Sequence, residues 1–74
     1  MEQQNAAPSL RFIRAREAIK KTGLSKSSIY DLMAQGQFPK AIRLCVTGRA
    51  VGWIESEVDA WMASRIAESR GGAA

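Results

Sequence analysis

The chain has 74 residues with one cysteine, no histidine and a formal net charge of +4. This length gives room for a single domain with a small core. A lone cysteine cannot form an internal disulfide, and without histidine the usual zinc sites and histidine-assisted nucleophiles cannot be built. We therefore expect no metal, no cofactor and no enzymatic activity, and the short apolar runs predict a cytoplasmic protein without a membrane span.

Positive charge is concentrated in the first part of the chain. Residues 9–54 carry nine basic and two acidic side chains, whereas residues 55–74 carry two basic and four acidic ones. This asymmetry is typical of a polyanion-binding surface backed by a solvated helix. Charge alone leaves open that the chain is simply a soluble basic domain.

The two ends of the chain frame one predicted domain, residues 9–70. Residues 1–8 are polar or small and residues 71–74 read Gly-Gly-Ala-Ala, so both segments are expected to be flexible. The apolar residues between Leu10 and Ile13 predict a short extended segment packed on the core.

A first helix is predicted over Ala15–Thr22. Ala18 and Ile19 fall on its inward face, and Gly23 supplies a left-handed stop directly after its last residue. Only residues 23–25 separate this helix from the next periodic segment, which indicates the tight link of a helix-turn-helix.

A second helix is predicted over residues 26–35, and it is the expected recognition helix. Ser25 is a good N-cap residue, and Gly36 supplies the C-terminal stop. Its apolar stripe consists of Ile29, Leu32 and Met33.

A β-hairpin, or wing, is predicted over about residues 41–54, after Phe38 and Pro39 end the helical structure. Apolar residues alternate with others on both arms, which is the period of paired strands. The connection, residues 46–49, contains the glycine that a hairpin turn needs. Cys45, just before it, is interpreted as a small hydrophobic residue.

A third helix is predicted from Ser56 to about Ser69, with a capping-box-like start. Its inward face is expected to consist of Val58, Trp61, Met62 and Ile66, packed against the hairpin and the other helices. Trp53 and Trp61 are interpreted as core residues rather than base-stacking platforms. The predicted fold is therefore mainly α with a small β-hairpin: a compact winged helix-turn-helix of three helices and a two-stranded wing.

The exposed side of the second helix carries side chains suited to reading DNA. Lysine can contact guanine acceptors or phosphate, serine can donate or accept, and a helix N-terminus favours phosphate oxygens. The candidates are Lys26, Ser27, Ser28, Tyr30 and Asp31. The alternative is a solvated helix face with Ser25 as its cap.

The wing carries candidates for contact with the adjacent DNA backbone or minor groove: Lys40, Arg43, Thr47 and Arg49. Arginine suits this role because its planar guanidinium binds phosphate bidentately and can enter a narrow minor groove. The alternative is that these charges protect an exposed strand edge. Two further candidates for phosphate contact, Lys20 and Lys21, also complement the dipole of the first helix.

Four segments, in this order and spacing, resemble the AlpA family of prophage regulators. They are GLSKSSIY at residues 23–30, GQFPK at 36–40, GRAVGW at 48–53 and ESEVDAW at 55–61. The resemblance covers roughly residues 10–67. It implies a winged-helix module related to phage excisionases and to the DNA-binding half of MerR-type regulators, acting in transcription control in bacteria or phage.

The resemblance also implies roles for individual positions. Ser27, Ser28 and Tyr30 fall in the recognition helix and Arg49 falls at the wing. Asp31 departs from the pattern, because many relatives carry a basic residue there, so a cytosine amino group replaces phosphate as its expected partner. The segment before the wing glycine is longer than the usual turn.

Three functions remain open at this stage. The first is a sequence-specific transcriptional regulator that binds double-stranded DNA at the bacterial nucleoid, and the second is an excisionase-like architectural factor that directs an integrase. The third is a small adaptor whose basic face binds an acidic protein. A homodimer or a cooperative array on DNA is expected, because one module of this size buries little surface on DNA. Integrase and RNA polymerase are the expected protein partners.

Overall fold

The computed structural model describes residues 10–71. Its elements are β1 (Phe12–Ile13), α1 (Ala15–Thr22), α2 (Lys26–Ala34), β2 (Ile42–Arg43), β3 (Val51–Ile54) and α3 (Glu55–Gly71). The predicted mainly helical, winged helix-turn-helix fold is confirmed. The leader predicted at residues 1–8 and residues 72–74 of the predicted tail lie outside the described residues.

The helix-turn-helix is built as its turn residues predict. Gly23 adopts a left-handed conformation with φ of 77°, and its N–H donates to the carbonyl oxygen of Ile19 at 2.8 Å. The Ser25 hydroxyl then caps α2 by accepting a hydrogen bond from the N–H of Ser28 at 3.1 Å. The two helices are therefore held in a fixed relation by a link of only residues 23–25.

α2 ends at Ala34, one residue earlier than predicted, and Gly36 supplies the C-terminal stop as expected. Gly36 has φ of 72°, its N–H donates to Met33 O at 3.0 Å, and the next N–H, that of Gln37, donates to Leu32 O at 2.8 Å. This pair of bonds is the Schellman motif, which satisfies carbonyls at the helix end. It turns the chain back toward the core, where Phe38 is buried.

The sheet has one strand more than the predicted wing. The strand order is β1-β3-β2, with both pairs antiparallel and Ile13 opposite Trp53. A strand of two residues has no detectable period, so the pairing of β1 does not follow from the sequence pattern. A Cβ at Gly52 would lie 2.6 Å from the carbonyl oxygen of Ile13, so this close approach of β1 and β3 requires glycine.

The core is small and centres on Trp53. The buried side chains are Ile13, Ala18, Ile29, Phe38, Trp53 and Val58. The Trp53 ring meets Phe38 and Tyr30 edge-on, with centroid distances of 6.1 and 6.3 Å, and its Nε1 donates to Pro39 O at 2.9 Å. The core role predicted for this tryptophan is confirmed.

Trp61 lies at the border of the core rather than inside it. Its ring packs against Phe38 with a centroid distance of 4.8 Å, and its Nε1 donates to Gln37 O at 2.7 Å. The side chain is half-buried and packs on the core from α3. Trp61 therefore joins α3 to the segment that follows α2.

α3 begins at Glu55, one residue before the predicted start at Ser56, and it ends at Gly71. β3 leads directly into this helix, and the N–H of Glu55 donates to Arg11 O at 2.7 Å. A strand contact, which no local pattern reveals, thus satisfies the first amide of the helix. The predicted inward position of Ile66 is wrong, because α3 has passed the edge of the body there and the residue is 53% exposed.

An ion-pair network joins β1, α1 and α3. Glu55 accepts from Arg11 at 2.9 Å and from Lys21 at 3.1 Å; Arg11 also contacts Glu17, and Lys21 contacts Asp59, both at 2.9 Å. The hydrogen bonds from Arg11 and Lys21 hold the pKa of Glu55 below its ordinary value. Hydrogen bonds to Asp59 and Glu55 raise the pKa of Lys21.

This network predicts an acid-sensitive contribution to stability. Because the pKa of Glu55 is lower in the folded state than in the unfolded chain, its contribution is complete above the unfolded value and is lost as pH falls through the folded one. We expect Glu55→Gln to have a lower Tm than the parent at neutral pH, and its Tm to fall less between about pH 6 and about pH 3.

Glu57→Gln is the matched control for thermal melts at each pH. Glu57 is exposed in the same first turn of α3, and it takes part in none of the ion pairs within residues 10–71. Its Tm profile should stay close to parallel with that of the parent, because Glu57→Gln removes only the interaction of a first-turn carboxylate with the helix dipole, which Glu55→Gln removes as well. Parallel acid profiles for Glu55→Gln and the parent would show that the network does not contribute to stability.

Candidate nucleic-acid interface

An open groove of about 390 Å³ lies where α1, α2 and the wing meet. It is lined by Arg14, Ala15, Arg16, Lys26, Tyr30, Arg49 and Val51. Two predicted residues of the recognition helix and one of the wing therefore lie on one surface. Four of the seven lining residues are cationic and none is acidic, so the groove is suited to an anion.

Both helices of the helix-turn-helix begin at this groove. Arg14 is the N-cap residue of α1, with an extended backbone, Arg16 lies in the first turn of α1, and Lys26 is the first residue of α2. The helix dipole disfavours cations at an N-terminus and favours anions there. Placing three cations at two helix starts therefore costs stability in the absence of a ligand and adds to the attraction for one.

The wing brings the fourth cation to the groove. The N–H of Leu44 donates to Ala50 O at 2.9 Å, which closes the loop of residues 45–49 and places Arg49 at its base. Arg43 is directly opposite Val51 in the β2–β3 pair. Opposite residues of an antiparallel pair project from the same face, so Arg43 extends the cationic face across the sheet.

Two other residues predicted to contact DNA with the wing lie outside the groove. Lys40 and Thr47 are exposed and do not line the groove. Cys45 is an exposed free thiol, so its interpretation as a small hydrophobic residue is wrong: the loop that carries it makes no core. Val46, which is 92% exposed, shows the same.

The exposed face of α2 continues beyond the groove. Ser27 and Asp31 lie one turn apart on this face, next to Lys26 and Tyr30. The Tyr30 ring contacts the buried Trp53 ring edge-on, with a centroid distance of 6.3 Å. Ser28 is half-buried, and its hydroxyl accepts a hydrogen bond from Ser25 at 3.0 Å, which ties it to the helix cap.

Comparison with known proteins identifies the family. Residues 11–66 match the family model described as "Prophage CP4-57 regulatory protein (AlpA)". This span is more than half of the chain. The chain belongs to the AlpA family. The resemblance found in the sequence segments is thereby confirmed for AlpA.

Two relatives agree with this assignment. The AlpA-family chain is 47% identical over 62 residues to "Uncharacterized protein ORF88" of Enterobacteria phage P4, a match that covers 84% of this chain and 68% of the relative. It is 36% identical over 67 residues to "DNA-binding transcriptional activator AlpA" of Escherichia coli (strain K12), covering 82% of this chain and 93% of the relative.

The groove cations of this AlpA-family chain differ from three cations elsewhere in the fold. Arg11, Lys21 and Arg65 are paired with carboxylates. The groove cations take part in no ion pair within residues 10–71. A phosphate contact by Lys21, as predicted, would have to replace its ion pairs with Glu55 and Asp59. Lys20, the other predicted phosphate contact, is exposed and does not line the groove.

Sequence reasoning did not single out Arg14 and Arg16 as site residues. Their distance in sequence from Lys26 and Arg49 hides the shared groove, which only the tertiary fold creates. One local signal was present, because two arginines at a helix N-terminus oppose the dipole and indicate a reason other than helix stability.

The described part of the AlpA-family chain has neither a metal centre nor a membrane-spanning helix. Residues 10–71 contain no group of three or more histidine, cysteine or acidic side chains placed to hold a metal ion. The same residues include no helix with the length and apolarity that a membrane crossing requires.

Proposed function

We propose that this protein is a sequence-specific DNA-binding transcriptional regulator of prophage type that acts at the bacterial nucleoid and is not an enzyme. The observation that carries the proposal is the groove in which cations from α1, α2 and the wing converge without a carboxylate. Backbone phosphate is the anion that such a surface fits, because DNA presents phosphates in a regular line. The relative named as a DNA-binding transcriptional activator supports the same function.

In the proposed complex, α2 enters the major groove with its N-terminal residues toward the bases. Lys26 and Tyr30 line the groove together with three arginines, so we assign both side chains to contacts with the DNA backbone rather than with base edges. The wing, with Arg43, Thr47 and Arg49, then follows the adjacent backbone or minor groove, and Lys40 lies at its entry.

Base reading is assigned to the face of α2 beside the groove. Ser27 and Asp31 are exposed there, and Ser28 lies next to them with its hydroxyl still able to donate. A carboxylate accepts well from the amino group of cytosine and is repelled by phosphate, so Asp31 belongs over a base edge. Backbone cations thus set affinity, and α2 sets preference.

This division of roles predicts different effects for two single variants. Arg49→Ala should weaken binding to specific and random duplexes by a similar factor, because a phosphate contact carries no sequence information. Asp31→Asn should change preference at one base position by roughly 10-fold, since asparagine pairs best with adenine where aspartate accepts from cytosine. Selection from a randomised duplex library, sequenced for the parent and both variants, measures this. Identical motifs for Asp31→Asn and the parent would remove Asp31 from the reading face.

The function itself is tested by the salt dependence of duplex binding. If Arg14, Arg16, Lys26, Arg43 and Arg49 all meet phosphates, log affinity falls with log salt with a slope of about −4.5. A slope near zero, or no duplex binding at low salt, would overturn the proposal in favour of an adaptor for an acidic protein. Genome-wide mapping of bound sites then separates promoters, which the proposal predicts, from arrays at attachment sites, which indicate an excisionase-like factor working with an integrase.

A further inference from the structure

A second surface, which is richer in apolar side chains than the cationic groove, lies on α3 and the α1–α2 turn. Two adjoining cavities of about 610 and about 300 Å³ share Leu24, Trp61 and Arg65 as lining residues. The larger extends over Leu32 toward Glu68, and the smaller extends over Met62 and Ile66. We call this surface the α3 ledge, defined as Leu24, Leu32, Trp61, Met62, Arg65 and Ile66.

The ledge arises because α3 is longer than the body against which it packs. Val58 is buried and Trp61 and Met62 are half-buried, but Ile66, which follows on the same side of the helix, is 53% exposed. A helix repeats its facing every three to four residues, so Ile66 continues the inward face beyond the body. An isoleucine exposed in line with a half-buried tryptophan and methionine is typical of a protein contact.

We propose that the α3 ledge binds a second copy of this chain, with the two α3 helices antiparallel. The proposal deepens the proposed function, because it names the partner beside which this protein acts on DNA. Its physical part, self-association, does not itself require DNA.

Charge complementarity selects a second copy as the occupant. Arg65 and Glu68 line the same cavity of the ledge and are 2.6 Å apart as an ion pair in one chain. An antiparallel pair of helices centred between residues 66 and 67 places Arg65 level with Glu68 of a second copy, and Glu68 level with the other Arg65. The ion pairs can then be exchanged between chains, whereas a parallel pair would place like charges level.

The same arrangement closes on itself. A two-fold axis gives each copy the same contact, so Ile66 of each chain lies next to the axis, beside Arg65 and Ile66 of the other, and the assembly closes at two copies. None of the ledge residues lines the cationic groove. Pairing through α3 therefore leaves both grooves open to DNA.

Pairing also supplies what a single module lacks. One module of this size buries roughly 600–1,000 Å² on DNA, which is at the low end for specific complexes. Two joined modules bind two neighbouring sites with an effective local concentration that neither has alone. Cooperative occupation of paired sites is the expected consequence.

Sedimentation velocity of the full chain without DNA tests the self-association. We expect a monomer–dimer equilibrium between about 1 µM and about 1 mM, the range of weak interfaces. Reducing agent must be present, because the exposed Cys45 thiol could otherwise crosslink two copies. Ile66→Glu should raise the dimer dissociation constant by at least about 10-fold, since it would bury an unpaired carboxylate.

Ala60→Glu is the matched control. Ala60 is exposed on α3, more than one turn before Ile66 and away from the proposed two-fold axis, and it lines neither cavity of the ledge, so the same charge there should leave the dimer intact. A parent that stays monomeric throughout this range, or an Ile66→Glu variant that associates like the parent, would overturn the proposal.

Binding to duplexes with one and with two sites separates this inference from the proposed function. Ile66→Glu should bind a single site as the parent does and lose the cooperativity on two sites. Failure of every form to bind DNA would refute the regulator function while leaving the sedimentation result to decide self-association.

Discussion

Replacing Arg14, Lys26 and Arg49 together by alanine is expected to lower affinity for duplex DNA by about 10³-fold. The three side chains reach one groove from α1, α2 and the wing. A hydrogen bond to a charged group contributes at least about 1.5 kcal/mol, and three such losses multiply to this factor. Fluorescence anisotropy of a labelled duplex across a salt series measures the affinity, and the log–log slope should fall from about −4.5 to about −1.8.

The fold of this triple variant should be intact or more stable. Its three substitutions remove cations that repel one another, and two of these cations, Arg14 and Lys26, also oppose a helix dipole, so Tm should not decrease. Arg70→Ala removes the same kind of charge from the exposed end of α3, outside the groove, and should change affinity by less than about 2-fold. Parental affinity and slope in the triple variant would exclude the groove as the DNA-binding surface.

Trp53→Ala is expected to leave most of the protein unfolded at 25 °C. The Trp53 side chain is fully buried, contacts the rings of Tyr30 and Phe38, and donates to the Pro39 carbonyl. Truncating a buried tryptophan costs about 3–5 kcal/mol, and a domain of this size has about 3–5 kcal/mol in total. Far-ultraviolet circular dichroism and a thermal melt should show lost helix signal and no cooperative transition.

Trp61→Ala is the control for loss of an indole. Trp61 is half-buried at the edge of the core, so its truncation should lower Tm while preserving a cooperative melt. Equal effects of the two substitutions would show that Trp61 contributes as much to the core as Trp53, although Trp61 is only half-buried. A Trp53→Ala protein that melts cooperatively within about 5 °C of the parent would contradict the central place given to Trp53.

The parts of the fold that were predictable from sequence depend on local chemistry. α1 has its predicted bounds because Gly23 provides the left-handed stop, and Ser25 caps α2 because a hydroxyl reaches the third amide after it. The wing follows from period-two alternation around a glycine turn. Each of these features is decided within a few residues.

The parts that were not predictable depend on contacts between distant segments. β1 is a strand because Ile13 pairs with Trp53, and the first amide of α3, that of Glu55, donates to the carbonyl oxygen of Arg11. The prediction of the inward face of α3 is correct as far as Met62 and wrong at Ile66. Periodicity shows which side of a helix is apolar, but it does not show where the rest of the fold stops packing against that side. The groove combines both cases, with Lys26 and Arg49 recognisable from their elements and Arg14 and Arg16 brought in by the tertiary fold.

The wing loop lies outside the packed interior of the fold. Residues 45–48 are exposed and add no side chain to the core, while the hydrogen bond from Leu44 to Ala50 closes the loop from below. Changes of length or composition there leave the packed interior as it is. If the wing follows the DNA backbone as proposed, a loop grafted from a relative should change affinity for specific and random duplexes by a similar factor and leave the stability of the fold unchanged.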